Sequence, residues 1–437
     1  MKRVTNAQST RSSRSVGPLQ ILVSIAIILL LLLGSLTSAE AQSGGIISLS
    51  QALEQAGSRN AQIQLGTIGV AQQQALRRTA YDAGRLSGTV LFGQYNSRRF
   101  DHNLTVSQTI PNPTLMRRLA DLNDRAVANR QAAVAVTQND VRYQVKAAYY
   151  DLGYLHQRRQ LYRQQDTVLA EFVQAANLRF KTGETGSLEK ATAESQRADQ
   201  QVRLAQLEAE LTAARTRLKT LLYSPNTVDA GAEPLPKLHL PYNPDSLLLT
   251  QPGQNPQVRL LQSQIRVAEQ SRLVEQTRSR PDFLVGLTSQ TLIGNQLIDG
   301  QEIYFGPGYR FTAGQLGVTF PLFGKAQKAR VEAARVGEQL AQTELQAGQF
   351  GLNQQLQQAV GQYVQYRNAL TYYEQNGLAQ AQLIQTNARR AFRGGDIGYV
   401  EFSLAIQQAL TIRSSYLDLL NQYNQSVLYI TYLLGNP

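Results

Sequence analysis

Cysteine is absent from the 437 residues, and so is tryptophan. The lack of cysteine excludes disulfides, thiolate metal sites, a cysteine nucleophile and a lipid anchor on an N-terminal cysteine. Histidine occurs only three times, at the widely separated positions 102, 156 and 239, so no cluster of soft metal ligands is expected. The chain also has no phosphate-binding loop and no nucleophile with a neighbouring base. We therefore expect neither an enzyme nor a bound cofactor.

Charged residues are scarce as well, at 17% of the chain, although the net charge is +12. The basic residues are spread along the sequence and form no dense patch. Because a nucleic-acid site needs clustered basic residues, a nucleic-acid partner is not expected.

Long apolar runs are confined to the N-terminus. A basic start, Met1-Lys2-Arg3, is followed by an apolar run from Leu19 to Leu33 and then by Ala39-Glu40-Ala41. This order is typical of a secretory signal peptide that is cleaved after Ala41. The alternative is a membrane-anchor helix, but the run has about 15 residues whereas a spanning helix needs about 18 or more. No later run reaches that length, so a membrane-spanning part would have to consist of β-strands.

One turn pattern occurs twice, at residues 180–189 and again 212 residues later at residues 392–401. Two glycines three residues apart permit a sharp reversal between helices, because glycine tolerates positive φ. Ser187 is placed to cap the returning helix of the first copy. The matched residues are Phe180/Phe392, Gly183/Gly395, Glu184/Asp396, Gly186/Gly398 and Glu189/Glu401.

Long segments with helical periodicity flank both turns. Residues from Thr114 to about Lys181 contain no proline, and Gly153 is their only glycine; Lys325 to Arg390 is also helical in pattern. The returning segments carry apolar residues at mainly three- and four-residue spacings, which indicates a coiled-coil seam with a period of 3.5. The seam residues are Leu204, Leu207, Leu211, Ala214, Leu218 and Leu221 in the first half and Leu410, Leu417, Leu420, Val427, Ile430 and Leu434 in the second.

Two short segments of alternating polarity precede the long helix in each half, at about residues 86–95 and 102–110 and at about residues 282–290 and 310–320. The alternation predicts β-strands with one apolar face. Each segment has about 9 or 10 residues, the length that crosses a hydrocarbon core when a strand is tilted. A mostly polar loop is expected at residues 291–309. The positions predicted to face lipid are Val90, Phe92, Leu104, Val106, Phe283, Val285, Leu316 and Val318.

The mature chain thus contains the order helix, two strands, long helix, turn and helix two times, which predicts an internal duplication. Residues 42–223 form the predicted first repeat, the proline-rich residues 224–244 the linker, and residues 245–437 the second repeat. Four strands cannot close a barrel, and open strand edges in lipid leave unpaired backbone groups that each cost several kcal/mol. If the strands cross a membrane, subunits must pool them. The alternative is a periplasmic structural coiled-coil protein with a small sheet.

The duplicated order and its motifs resemble the TolC family of outer-membrane efflux channels over nearly the whole mature length. The motifs are Gln108-Thr-Ile-Pro111, Val318-Thr-Phe-Pro321-Leu-Phe-Gly324 and the two glycine turns. Within the family, Tyr149-Tyr-Asp-Leu-Gly-Tyr-Leu155 and the Gly-Glu-Thr-Gly turn are similar to the CzcC and CusC branch, which is paired with heavy-metal exporters of the resistance-nodulation-division type.

The resemblance implies a mainly α fold with a small β part, in which a duplicated unit assembles into a homotrimer. Three chains would pool their strands into one twelve-stranded outer-membrane β-barrel, continued by a long periplasmic α-barrel. The channel would passively conduct heavy-metal cations from an inner-membrane resistance-nodulation-division pump and a periplasmic adaptor to the exterior. A multidrug or protein-secretion channel of the same fold is the alternative. Some relatives carry a lipidated N-terminal cysteine, which this chain lacks.

The resemblance also places both turns at the periplasmic tip of the channel. Glu189 and Glu401 match positions where the family has acids in the narrow entrance, and a ring of like charges there attracts cations and selects or gates. The alternative is a pair of solvated acids favoured by the helix dipole. Glu184 and Asp396 are expected at the same tip, facing the adaptor or solvent. The turn residues expected to contact the adaptor are Gly183, Gly186, Leu188, Gly395, Gly398 and Val400.

Overall fold

The computed structural model describes residues 45–94, 96–231, 236–249, 253–320 and 324–436. The predicted signal peptide at residues 1–41 lies outside the described residues. Tyr95 at the end of the first predicted strand, Pro321 after the last one and residues 232–235 of the predicted linker lie outside them as well.

The first half is dominated by one helix of 69 residues. Asn112 begins it: the side-chain oxygen accepts a hydrogen bond from the backbone N–H of Thr114 at 2.9 Å, and Pro113 takes the first helical position. The elements of this half are α1 (Leu49–Arg59), α2 (Ala61–Leu76), a 3₁₀ turn (Arg77–Tyr81), β1 (Leu86–Gly93), β2 (Asp101–Ile110), α3 (Pro113–Lys181) and α4 (Ser187–Leu221).

The second half follows the same order with two additions. One is a hairpin within the strand region, and the other is a π-helical turn (Tyr373–Gly377) in the long helical segment before the second glycine turn. None of the described helices is both long enough and apolar enough to cross a membrane. The prediction of a mainly helical chain with a small β part is confirmed. The elements are α5 (Pro244–Leu249), α6 (Pro256–Thr277), β3 (Asp282–Gln290), β4 (Gly294–Ile298), β5 (Gln301–Phe305), β6 (Phe311–Thr319), α7 (Lys325–Tyr372), α8 (Leu378–Gly394) and α9 (Tyr399–Leu433).

The hairpin of β4 and β5 occupies part of residues 291–309, where a polar loop was predicted, and that prediction was wrong. Asp299 and Gly300 connect the strands with φ angles of 53° and 79°, which suit a two-residue hairpin loop. Asp101 holds the base of the hairpin, because its Oδ1 accepts a hydrogen bond from the backbone N–H of Ile293 at 3.0 Å. The hairpin is therefore anchored to β2 through a buried carboxylate.

The larger sheet contains four antiparallel strands in the order β1-β2-β3-β6. Val90 pairs with Leu104 on one face, and the hydroxyl groups of Thr105 and Thr288 lie 3.0 Å apart on the other. One face is therefore apolar and the other carries hydroxyl and amide groups, as the alternation predicted. Among the described residues, β1 and β6 each have one edge without a partner strand.

Each half has its own apolar cluster, which lies where the helix after the glycine turn packs against the long helix before it. In the first half α4 packs with α1 and α3, and in the second α9 packs with α7. Leu218 of α4 and Ile430 of α9 stand 212 residues apart in sequence, and both are fully buried. Burying one such side chain stabilises the fold by about 2 kcal/mol.

An asparagine joins two helix ends in each half. Asn60 caps α2 with its side-chain oxygen and donates its amide to the carbonyl of Leu221 at 3.2 Å. Asn255 caps α6 in the same way and donates to the carbonyl of Leu433 at 2.9 Å. The two carbonyls are 212 residues apart, so each half contains an equivalent buried polar contact in addition to its apolar cluster.

Hydrogen bonds between α3 and α9 join the halves to each other. The hydroxyl of Tyr432 donates to Asp140 at 2.8 Å, and that of Tyr154 donates to Asp418 at 2.5 Å. Burial, together with the bond to Asp418, raises the pKa of Tyr154, so the phenol keeps its proton. These bonds form a polar seam along part of the contact between α3 and α9, which also includes Gln425 to the carbonyl of Ala147 and Asn421 to Asp151.

Candidate functional site

Both predicted turns adopt one backbone conformation. Gly183 has a φ of 76° and Gly395 a φ of 79°, in the left-handed region that ends a helix. The residue after each glycine donates its backbone N–H to the carbonyl five residues earlier, at 2.9 Å in both turns. The first glycine of each turn is therefore required by its backbone conformation.

The second glycine of each turn has another position. Gly186 and Gly398 have φ angles of −79° and −78°, and each stands immediately before the returning helix as its N-cap residue. Ser187 is the first helical residue of α4 and makes no capping bond, so the predicted capping role was wrong. The helix begins one residue earlier than expected, which places the Ser187 hydroxyl inside the first turn.

The acids of the first turn share one arginine. The guanidinium of Arg179 lies 3.3 Å from the carboxylate of Glu189 and 3.5 Å from that of Glu184. The Glu189 side chain is 15% exposed and the Glu184 side chain 62% exposed. The two acids predicted at this tip are therefore brought together, with Glu189 the more enclosed of the two.

The acids of the second turn have no such arginine, because Ala391 occupies the position equivalent to Arg179. Glu401 turns back instead, and its Oε2 accepts a hydrogen bond from the backbone N–H of Gly398 at 3.2 Å. Glu401 and Asp396 are both exposed. Equivalent acids in the two turns thus differ in their partners, and Glu189 and Glu401 also differ in their exposure.

An aromatic cluster fastens the second turn to α3. Phe172 stacks on Tyr399 with ring centroids 4.5 Å apart, and Phe392 stacks on Phe402 at the same distance. Of this cluster, only Phe392 belongs to the residues that the repeated turn pattern indicates; the close spacing of aromatic residues around the second turn is the sequence signal for the others. Phe180, the equivalent of Phe392, is exposed in the first turn.

Two apolar residues stand exposed beside the turns. Leu188 is 79% exposed and Val400 is 64% exposed, and each is the second residue of its returning helix. Because they recur at the same position of both turns, the end of the helical hairpins carries a repeated apolar contact point next to charged residues.

The eight strand positions predicted to face lipid share one face of the sheet. The register pairs Val285 with Leu316 and Phe283 with Val318 on the face that also carries Val90. Most of these side chains are exposed, with Leu316 the most open at 86%. The sheet therefore presents a continuous apolar surface that nothing covers within the described part of the chain.

Metal-ligating side chains are not gathered in the described residues, where no three histidines or acids lie close enough to hold an ion. His156 is buried against Asp229 and makes a hydrogen bond with it. The Nη2 of Arg159 donates to the other ring nitrogen of His156 at 3.1 Å, so Nε2 is the donor to Asp229. This histidine belongs to the packing of the helical hairpin.

The comparisons with known proteins agree with this architecture. No protein-family model matches the chain. The cobalt-zinc-cadmium resistance protein CzcC of Cupriavidus metallidurans is 25% identical over 347 residues, which are 78% of this chain and 79% of that protein.

Solved structures are similar over a larger share of the chain. The outer-membrane channel OprN matches with a TM-score of 0.72 and 18% identity, over 89% of this chain and 90% of its own. CusC matches with a TM-score of 0.72 and 14% identity, over 91% and 96%. The outer membrane protein VceC of Vibrio cholerae matches with a TM-score of 0.70 and 15% identity, over 89% and 96%.

OprN is described as an outer-membrane channel and CusC as a protein that forms a transmembrane channel, which agrees with the expectation that the chain is not an enzyme. The resemblance that the duplicated motifs indicated is confirmed: in sequence to CzcC, and in fold to OprN and CusC, the chain is similar to the TolC family of outer-membrane efflux proteins.

Proposed function

We propose that three copies of this chain form the outer-membrane exit duct of a tripartite efflux system and passively conduct metal cations to the exterior. The observation that carries the proposal is the four-stranded sheet with one exposed apolar face and two unpaired edges. In water an apolar face of this kind is unfavourable by about 25 cal/mol for each Å². In lipid the apolar face is favourable, but the backbone N–H and C=O groups of the two strand edges still lack hydrogen-bond partners.

The two edges require more copies of the chain. An unpaired edge in hydrocarbon leaves N–H and C=O groups without partners, so β1 of one copy has to pair with β6 of the next. The helical layer supports the same arrangement, because α2 packs on α3, α3 on α6 and α6 on α7. Its two outer helices expose Leu65 and Ile68 on α2 and Val336 and Leu340 on α7. A ring of copies would cover these residues and the strand edges together.

The turns supply the proposed inner end of the duct. Their acids would surround the entrance, and the exposed Leu188 and Val400 would meet a periplasmic adaptor protein that links the duct to an inner-membrane pump. An adaptor contact of this kind would combine apolar anchors with a charged rim. Export through an N-terminal signal peptide would bring the chain to the outer membrane.

The proposed cargo rests on the similarity to CzcC, whose name records cobalt, zinc and cadmium resistance. The acids at the turns favour cations electrostatically, and a conduit needs no high-affinity metal site. A duct for drugs or secreted proteins has the same fold, so the two cargo classes are outcomes of one experiment. Deletion of the gene should lower tolerance to divalent metals and leave tolerance to drugs and dyes unchanged. The reverse result would reject the metal cargo.

The channel itself is tested on the purified mature protein. We expect a mass of three chains in detergent and steady conductance after reconstitution into a planar bilayer. A monomer that gives no conductance would overturn the proposal and would favour a periplasmic structural coiled-coil protein. A variant with Leu316→Lys and Val318→Lys on the exposed sheet face should fail to insert. The matched variant with Gln315→Lys and Thr319→Lys on the polar face should insert.

A further inference from the structure

The end of the sheet nearest the helices gathers basic residues that the sequence scatters. Four segments meet there, because the strand register brings the start of β1 and β3 beside the end of β2 and β6. The segments 77–85, 113–125, 272–282 and 324–335 contain thirteen lysines and arginines and six acids. The opposite end of the sheet, in residues 94–101 and 299–310, contains three arginines and three acids.

The acids at this junction are mostly engaged. The carboxylate of Asp282 accepts a hydrogen bond from the backbone N–H of Asn112 at 2.9 Å, and that of Asp82 accepts one from Gly84 at 2.9 Å. Three more acids are held in ion pairs, Asp124 with Arg77, Glu275 with Arg278 and Glu332 with Arg335.

The surplus of basic residues is exposed to solvent. In the part of the chain that the structure describes, these surplus side chains make no ion pair. Because their positive charges are not neutralised within the chain, they favour an anionic partner. We call six of these exposed side chains the basic collar: Arg78, Arg85, Arg117, Arg280, Lys328 and Arg330.

Exposed aromatic rings lie among these cations. Arg78 and Arg117 line an open groove of about 660 Å³ together with Tyr81 and the acids Asp121 and Asp124, of which Asp124 is paired with Arg77. Tyr81 is exposed, and Phe320 is exposed at the end of β6, in continuation of the face that carries Val318. Aromatic rings beside cations are the composition that proteins use where hydrocarbon meets lipid headgroups.

We propose that the basic collar binds the phosphate groups of anionic phospholipids in the membrane leaflet on the helical side of the sheet. This inference rests on the proposed function, since the sheet must lie in a membrane for its end to reach headgroups. The collar has the charge for that partner, and the opposite end of the sheet, with its balanced charges, does not. Each positive charge near such a surface is expected to strengthen binding by up to about fivefold at low salt.

The test measures binding of fluorescent phosphatidylglycerol and phosphatidylcholine to the detergent-solubilised full mature protein. The wild type should bind phosphatidylglycerol at least tenfold more tightly than phosphatidylcholine, and high salt should remove most of that preference. The collar variant Arg78→Gln, Arg85→Gln and Lys328→Gln should lose most of it at low salt. The control variant Arg98→Gln, Arg130→Gln and Lys181→Gln removes equal charge elsewhere and should keep it.

Equal loss in both triple variants would overturn the collar, because the preference would then follow net charge alone. Competition by glycerol phosphate as strong as that by phosphatidylglycerol would also overturn it, because the site would then recognise a free phosphate group and not a lipid in a membrane. Conductance of the same preparations is the separating control. A protein that conducts but does not prefer phosphatidylglycerol rejects the lipid-binding role of the basic collar and leaves the proposed channel intact. A protein that never conducts rejects the proposed function.

Discussion

The guanidinium of Arg179 lies 3.3 Å from the carboxylate of Glu189, and no equivalent pair exists in the second turn because Ala391 replaces the arginine. Glu401, the equivalent of Glu189, is exposed and accepts only a backbone N–H among the bonds described for its side chain. At this duplicated position the acid of the first turn is therefore paired with an arginine, and the acid of the second turn is not. In a ring of three copies, the second turn would supply most of the free negative charge at the entrance.

Removing the arginine from the first turn, or adding one to the second, should therefore change the cation selectivity of the proposed channel. Arg179→Gln releases Glu189 and should raise the preference for cations, whereas Ala391→Arg places a guanidinium ten residues before Glu401 and should lower it. The arginine of the lost pair is partly exposed, so solvent screening limits such a pair to about 1 kcal/mol or less and stability should hardly change. Reversal potentials in a salt gradient measure the effect.

The double variant Glu189→Gln with Glu401→Gln provides the limit for these shifts, since it removes both charges. Its cation preference should fall below that of the wild type. A reversal potential equal in all four proteins would show that these acids lie outside the conduction path.

The two glycines of each turn should respond differently to alanine. Gly183→Ala and Gly395→Ala force a Cβ into φ angles of 76° and 79°, which costs about 1 to 2 kcal/mol each. Gly186→Ala and Gly398→Ala are controls, because their φ angles are negative and nothing lies within 4 Å of the added Cβ. Thermal unfolding followed by circular dichroism should show clearly lower midpoints for the first pair, whereas the second pair should lose only the small advantage of glycine over alanine at an N-cap. Equal midpoints for both pairs would contradict the assigned roles.

Local periodicity predicted the helices and the four strands of the larger sheet, since each pattern lies within one continuous segment. The hairpin of β4 and β5 was missed although Asp299-Gly300 is a strong hairpin signal, because the surrounding residues alternate weakly. The close spacing of Phe392, Tyr399 and Phe402 indicates the local part of the aromatic cluster, but its contact with Phe172 and the basic collar could not be predicted. Both are formed by segments far apart in sequence, and nothing local specifies which helices pack together.

The ends of the returning helices offer a test of backbone strain. Tyr223 ends α4 with a φ of 48°, and Gly435 ends α9 at the equivalent position with a φ of 80°. Only glycine adopts this region without cost, so Tyr223→Gly should stabilise the protein by about 1 kcal/mol. Gly435→Ala should destabilise it by more, because its Cβ would lie 3.0 Å from the Cα of Asn255. Urea unfolding midpoints measure both changes.

A lower midpoint for Tyr223→Gly would mean that the lost contacts of the aromatic ring outweigh the relief of strain. Tyr223→Ala separates the two terms, because it removes the ring and keeps the Cβ. It should therefore unfold at lower urea than Tyr223→Gly.

Acid should weaken the first half of the chain through Asp229. Burial raises the pKa of this carboxyl, but hydrogen bonds from His156 and Arg215 outweigh burial and lower the pKa to about 2. The usual value is 3.8, so the folded state holds the carboxylate more strongly than the unfolded chain does. The resulting stability is fully present above about pH 4 and is lost as the pH falls towards 2. Because the site is partly exposed and solvent screens it, we expect a loss of about 1 kcal/mol.

Asp229→Asn should remove this pH dependence. The variant should be less stable than the wild type at neutral pH, since Arg215, at 2.8 Å in the wild type, loses its charged partner. The difference between the two proteins should shrink between pH 4 and pH 2, because the wild-type carboxyl becomes neutral there as well. Urea midpoints at a series of pH values measure the difference, and Asp199→Asn, which removes an exposed i to i+4 pair with Arg203, is the control. A constant gap between wild type and Asp229→Asn down to pH 2 would refute the assigned role of this carboxylate.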